Sequence, residues 1–228
     1  MIPLRDDIQH RHAPLMTVLL IAVNALVFVW EARLPEPELE RLVFTCGMIP
    51  ARYPLPAGEL DYWPFLTSMF LHGGWLHVIS NLWILWIFGG NVEDRMGAAR
   101  FLVFYVLCGL LAGLLHWATN MDSRIPTIGA SGAIAGVMGA YFVLYPHARV
   151  VTLIPILFWP LFVNIPAVVF LGFWFVMQFF SGTLAVGAGE EAGGVAWWAH
   201  VGGFIAGIVL LPVFYSARHS GRPRRQST

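Results

Sequence analysis

Residues Thr127–Tyr145 read "TIGASGAIAGVMGAYFVLY", and their pattern governs how the rest of the chain is arranged. From Gly129 onward the stretch is apolar enough to enter a bilayer. At about 1.5 Å per residue, however, it reaches only roughly 25 Å, short of the roughly 30 Å hydrocarbon core. On a helix Ser131, Ala135 and Gly139 form one stripe of small residues, and Gly132, Gly136 and Ala140 form the next. Such stripes allow another backbone to approach closely, because no side chain holds it off. One hydroxyl, Ser131, stands in the first turn, either as one more small packing residue or as a reactive group.

The whole chain has the composition of an integral membrane protein. Of its 228 residues 58% are hydrophobic and 11% charged, and the mean hydropathy is +0.70, far more apolar than a soluble domain of this length. The formal net charge is zero and every basic residue is Arg or His, so no basic field argues for a nucleic-acid partner. Two cysteines, Cys46 and Cys108, fall in a loop and a span, which argues against a disulfide framework.

Six spans are expected: Leu15–Trp30, Trp75–Gly90, Phe101–Ala118, Gly129–Tyr145, Val163–Phe180 and Val195–Tyr215. The second and fourth are short. Ahead of the fifth, "VVTLIPILFWPLFV" carries Pro155 and Pro160 and reads as a re-entrant or interfacial segment. "FVWEARLPEPELE" after the first span lacks a small-residue cleavage site, so that span reads as an uncleaved helix. The expected organisation is a tail over 1–14, a helical domain over 15–216 and a basic tail over 217–228. Arg5, Arg11, Arg95, Arg100, Arg149, Arg218, Arg222, Arg224 and Arg225 collect on one side, and Arg33, Arg41, Arg52 and Arg124 on the other, which places both termini in the cytoplasm. Glu36, Glu38, Glu40, Glu59, Asp61, Asp122, Glu190 and Glu191 fall on the opposite side, and the one long loop, from Glu31 to about Gly74, belongs there too.

Polar groups inside spans are few, and costly enough to suggest function. They are His77, Asn81, His116, Ser131 and His200, with His72 just before the second span. Spans two, four and six run in the same direction. His77 and Asn81 share a helix face, and with Ser131 and His200 they lie within roughly 10 Å of the outer helix ends. The face of His200 continues through Gly203 and Gly207 in "AHVGGFIAG", a second close-approach stripe. If the two stripes meet, His200 can take the proton of the Ser131 hydroxyl. His77, Asn81 and the Ser131 backbone N–H can then donate to an oxyanion. No acid is placed to complete a triad, so a Ser–His dyad is the sharper expectation. Each residue also has a structural reading: Ser131 as packing, His200, His77 and Asn81 as interhelical hydrogen bonders, His116 as structural, His72 as support for the long loop. Coincidence at one depth favours the catalytic reading. A zinc site of His72, His77 and His200 would leave Ser131 and Asn81 without roles; His-Glu-x-x-His and paired intramembrane Asp are absent.

The motifs "HGGWLHVISN" (72–81), "GGNVEDRMG" (89–97), "GASG" (129–132) and "AHVGGFIAG" (199–207) occur in an order that resembles the rhomboid family of intramembrane serine proteases. The resemblance implies a six-helix all-α bundle with Ser131 as nucleophile, His200 as base and His77 and Asn81 as oxyanion donors. It also implies that Gly129 and Gly132 shape the serine turn, and that Glu93 and Arg95 belong to a structural motif closing the second helix. No cofactor is expected; the implied partners are single-span transmembrane substrates entering between helices two and five, and membrane lipids. The compact form resembles bacterial plasma-membrane members. Two positions depart from the pattern of some members: Pro64 follows Trp63 where Arg occurs, and Ala135 stands where Tyr stacks on the base. A transporter with broken helices would be expected to show an inverted repeat, and none is evident; a non-catalytic rhomboid scaffold should lack the serine or the histidine.

Overall fold

A computed structural model describes residues 1–53, 61–156, 159–188, 195–215 and 224–225. Glu59, Glu190, Glu191, Arg218 and Arg222, and most of the basic tail, lie outside the described residues. The chain opens with strands β1 (Ile2–Asp6) and β2 (Ile8–Gln9), then α1 (Leu15–Glu31). The expected long loop contains α2 (Glu36–Cys46), a 3-10 turn at Pro50–Arg52, α3 (Pro64–Thr67) and a second 3-10 turn at Ser68–Phe70. Helices α4 (Trp75–Met96), α5 (Ala98–Thr119) and α6 (Ser131–Leu144) precede a hairpin of β3 (Arg149–Ile156) and β4 (Trp159–Pro166). Helices α7 (Ala167–Ala188) and α8 (Trp197–Phe214) follow, and a two-residue strand β5 (Arg224–Arg225) pairs with β2.

Among the described residues α4, α5, α7 and α8 are long and apolar enough to cross a membrane, whereas α1 and α6 are shorter apolar helices. The second span is longer than expected: α4 continues past Gly90 to Met96 because its polar residues find partners inside the protein. Glu93 accepts hydrogen bonds from the Met16 and Thr17 backbone N–H groups (2.9 and 2.8 Å) and from the Thr17 hydroxyl (2.7 Å), capping the start of α1. Arg95 Nε donates to Tyr145 Oη at 2.9 Å, and that hydroxyl donates to the Asn91 carbonyl. Gly97, at φ +82°, ends the helix and opens α5. The fourth span is shorter than expected. With 14 residues α6 is roughly 21 Å long at the standard rise, less than the bilayer core.

This short helix is the axis of the molecule, and every residue from Gly132 to Tyr141 is buried. Its glycine stripe lies against α8 in parallel: Gly203 sits on the Gly132 carbonyl, Gly207 on the Gly136 carbonyl, and Gly139 on the Phe204 carbonyl. A methyl group at Gly203, Gly207 or Gly139 would overlap the opposing backbone, which is why those faces consist of glycine. On the other side Gly136 meets Cys108 of α5, and Cys108 and Cys46 are both free thiols.

The all-α expectation needs one correction. The proline-interrupted segment does not start a span at Val163: the part expected to be re-entrant or interfacial is an antiparallel hairpin, and α7 starts only at Ala167. Val150, Val151, Thr152 and Ile154 favour strand; Pro160 and Pro166 are tolerated on β4, the sheet's outer strand, and Pro155 lies past Leu153, the last residue of β3 that pairs with β1. The N-terminal β1 completes the sheet against β3, in the order β1-β3-β4. Asp6 at its end is buried and accepts from Asn91 Nδ2 and Tyr141 Oη, each at 2.6 Å, tying the sheet to α4 and α6. Burial pushes the Asp6 carboxyl up to about 6, against the opposing pull of those hydrogen bonds.

At the other end of the bundle, the loop before α4 is held without an arginine after Trp63. Pro64 opens α3 at a position where its missing N–H costs nothing. Tyr53, Met48 and Phe65 form a buried cluster with Leu110 and Trp117 of α5. Trp117 Nε1 donates to the Tyr53 carbonyl at 3.0 Å, and Thr67 Oγ1 donates to the Cys46 carbonyl at 2.7 Å.

Candidate active site

Ser131 is the first residue of α6, so its backbone N–H and those just after it have no partner within the helix. The turn into it depends on Gly129, at φ +130°, whose N–H donates to the Ser68 carbonyl at 2.9 Å. That turn also needs the absence of a side chain. A Cβ on Gly129 would stand 2.7 Å from His77 Nε2 and 3.7 Å from Ser131 Oγ, so the bare glycine keeps the imidazole and the hydroxyl on one small space.

Ser131 Oγ and His200 Nε2 are 2.8 Å apart. The opposing glycines of α6 and α8 produce this approach, since both residues stand at the starts of parallel helices whose backbones touch one turn further on. On its far side, His200 Nδ1 is 2.7 Å from Gln178 Oε1 of α7. The Trp174 ring lies 5.7 Å from the imidazole at 36°, and Trp197 meets it edge-on at 6.3 Å. These groups brace the imidazole, and Ala135, fully buried, supplies no ring.

His77 lies on the neighbouring α4, and the Gly73 backbone N–H donates to its Nδ1 at 3.3 Å. Because an N–H can only donate, the ring hydrogen of His77 sits on Nε2, the atom facing Gly129 and Ser131. Asn81, one turn further along α4, is buried, and its Nδ2 has no hydrogen-bond partner among the described residues. A buried amide donor left open is costly unless something polar comes to meet it.

His72 is buried behind His77, with ring centroids 5.2 Å apart, and its ring is edge-on to Phe28. Its backbone N–H faces the carboxylate of Glu31, which is 1% exposed at the end of α1. Burial pushes the His72 imidazole down to about 4, so it is neutral at physiological pH and supports the turn sterically. A cavity of about 270 Å³ opens above His77, lined also by His116, Asn120, Ile128 and Trp197. A smaller recess of about 30 Å³ reaches Ser131 between Met48, Ser68 and Ala199. The two share Thr127, Ile128 and Ala196 as lining residues.

Ser131 and His200 therefore come together with His77 beside Gly129, and Asn81 lies one turn from His77 on α4. Gly132 and Gly203 bring the two helix backbones into contact next to Ser131, with Gly207 on Gly136 further along. Glu93 and Arg95 lie at the opposite end of α4, and His116, assigned only a structural part, lines the cavity. Sequence reasoning missed Gln178 and Glu31. The signal for Gln178 was present, because it is the only amide side chain in the apolar α7. Among the described residues no three of His, Cys, Asp and Glu stand close enough to share a metal ion.

Residues 59–217 match the family described as the rhomboid domain. The chain is 28% identical over 203 residues to the presenilin-associated rhomboid-like protein, mitochondrial, of Mus musculus, covering 83% of this chain and 46% of that protein. Rhomboid protease GluP of Bacillus subtilis (strain 168) is 34% identical over 128 residues, 56% of this chain and 24% of that protein. Rhomboid protein 1, mitochondrial, of Saccharomyces cerevisiae is 28% identical over 165 residues, covering 70% and 44%. The chain thus spans less than half the length of these relatives. With its four long apolar helices it is an integral membrane protein. It belongs to the rhomboid family.

Proposed function

We propose that this protein is an intramembrane serine endopeptidase acting on transmembrane helices through a Ser131–His200 dyad. The observation that carries the reading is the 2.8 Å contact between Ser131 Oγ and His200 Nε2 at the submerged end of a short helix. His200 Nε2 takes the hydroxyl proton as Ser131 Oγ bonds to the scissile carbonyl carbon. The oxyanion that forms is met by three donors: His77 Nε2–H, Asn81 Nδ2–H and the Ser131 backbone N–H, the last favoured by the helix dipole. Collapse of the intermediate breaks the C–N bond, and His200 returns the proton to the leaving amine. Water then repeats the sequence on the acyl-enzyme, releasing the acid and restoring both residues.

The substrate we infer is a single-span protein. A hydrogen-bonded helix hides its carbonyls, so the cut falls where that helix unwinds, near the membrane face that the cavity opens to. The four long apolar helices and the shorter α1 and α6 then lie in the bilayer, with both termini cytoplasmic as the arginines direct. The compact form favours a bacterial plasma membrane as host, and GluP of Bacillus subtilis is a bacterial relative. Purified protein in liposomes should cleave a helical single-span substrate, and Ser131→Ala should stop it. Undiminished cleavage by Ser131→Ala would end this mechanism.

A further inference from the structure

The dyad leaves open what gives His200 the right tautomer, and α7 carries a side chain placed to do so. A neutral imidazole has one N–H and one lone pair, and only the form with its hydrogen on Nδ1 presents a lone pair from Nε2 to the Ser131 hydroxyl. The reverse form would donate from Nε2 to Oγ and leave the serine its proton.

Gln178 Oε1 lies 2.7 Å from His200 Nδ1. A carbonyl oxygen can only accept, so this contact requires the hydrogen on Nδ1. Gln178 is 7% exposed, while its neighbours Val176, Met177, Phe179 and Phe180 face outward. An amide turned inward from an otherwise apolar helix needs a partner, and His200 is the partner present. One helical turn earlier on the same face, Trp174 lies against the imidazole. The ring is thus fixed in position by an aromatic side chain and in protonation by an amide, both from α7.

We propose that Gln178 is a positioning residue for the base: it holds His200 as the Nδ1–H tautomer, so that Nε2 is available to Ser131. The site is then a nucleophile, a base and a neutral orienting amide, drawn from α6, α8 and α7. It carries opposite settings at its two histidines: the Gly73 N–H puts the His77 hydrogen on Nε2, where a donor is needed, and Gln178 puts the His200 hydrogen on Nδ1, where a lone pair must face the serine. The inference rests on the proposed dyad, but its readout is separable from it.

The test uses the full chain with nitrogen-15 histidine, the His200 signal being identified by its loss in His200→Ala. In the wild type the His200 Nδ1 resonance should be of the protonated kind and Nε2 of the unprotonated kind, and Gln178→Met should mix or reverse the two. In cleavage, Gln178→Met should lower kcat about ten- to a hundredfold with little change in KM, within the range of a misdirected general base. Gln178→Glu keeps an acceptor and should retain more of kcat than Gln178→Met. Its carboxylate favours the imidazolium, so the acid limb of its pH–rate profile should move to higher pH. A wild-type ring hydrogen on Nε2 would overturn the proposal. So would equal impairment of Gln178→Met and Gln178→Glu with an unmoved pH profile, which is what a packing role gives. Loss of the dyad reading would show instead as cleavage by Ser131→Ala, with the His200 tautomer unaffected by that result.

Discussion

At the scale of single residues, the oxyanion site is the most exacting part of the account. Asn81 Nδ2 is buried without a partner among the described residues, and in the proposed mechanism it meets the charge that develops in the transition state. Asn81→Ala should lower kcat about 10²- to 10³-fold and leave KM nearly unchanged, as expected for a donor used only in the transition state. Steady-state kinetics with a labelled single-span substrate check this, and a change confined to KM would assign Asn81 to binding. Gly129→Ala should be at least as severe for another reason: its Cβ would displace His77, and its φ of +130° disfavours any side chain. The meeting of Ser131 and His200 was legible in sequence because polar groups stand out in apolar spans and both sit on stripes of small residues. Gln178 was not read, since its use depends on which way α7 is turned, and a helix that is apolar all round gives no phase.

At the scale of elements, the glycine stripes were legible and the strands were not. The stripe 132–136 and the pair Gly203 and Gly207 foretold that α6 and α8 touch, because spacing on a helix fixes which small residues share a face. The residues 149–166 carry no clear period: both strands are apolar, and their pairing with residues 2–6 joins segments too distant in sequence for any local signal. The end of α4 was misjudged for a related reason, as Glu93 and Arg95 resemble a helix terminus until their partners in α1 and at Tyr145 are seen. The Asp6 latch gives the element scale its prediction. A carboxyl whose ordinary value of 3.8 is raised to about 6 holds a proton in the folded state that the unfolded chain has released. Its contribution to stability is therefore fully present below about pH 4 and declines as pH rises through 6, by about 3 kcal/mol in all. Asp6→Asn should remove that slope, read as the difference between variant and wild-type unfolding temperatures in detergent from pH 4 to 7. Parallel curves would show that Asp6 does not titrate in this window.

At the scale of the whole molecule, the proposed activity needs water, a nucleophile and a base together below a membrane surface, and the arrangement brings Ser131 Oγ and His200 Nε2 to 2.8 Å. Among the described residues the long helices α4, α5, α7 and α8 pack on the short α6, whose serine end borders a recess that shares lining residues with the larger cavity. The small sheet and the Asp6 latch close the opposite end, where Glu93 caps α1. The class of molecule was plain from composition. The long loop was not, because α3 and the Tyr53–Phe65 cluster are held by contacts with α5, and α2 by contacts with α3, rather than by local propensity. The central claim, that Ser131 is an activated nucleophile, is tested most directly by labelling the membrane-embedded protein with a fluorophosphonate and mapping the adduct by mass spectrometry. The account predicts one adduct, on Ser131, lost in Ser131→Ala and strongly slowed in His200→Ala. Absence of labelling in an active preparation, or labelling unaffected by loss of His200, would contradict it.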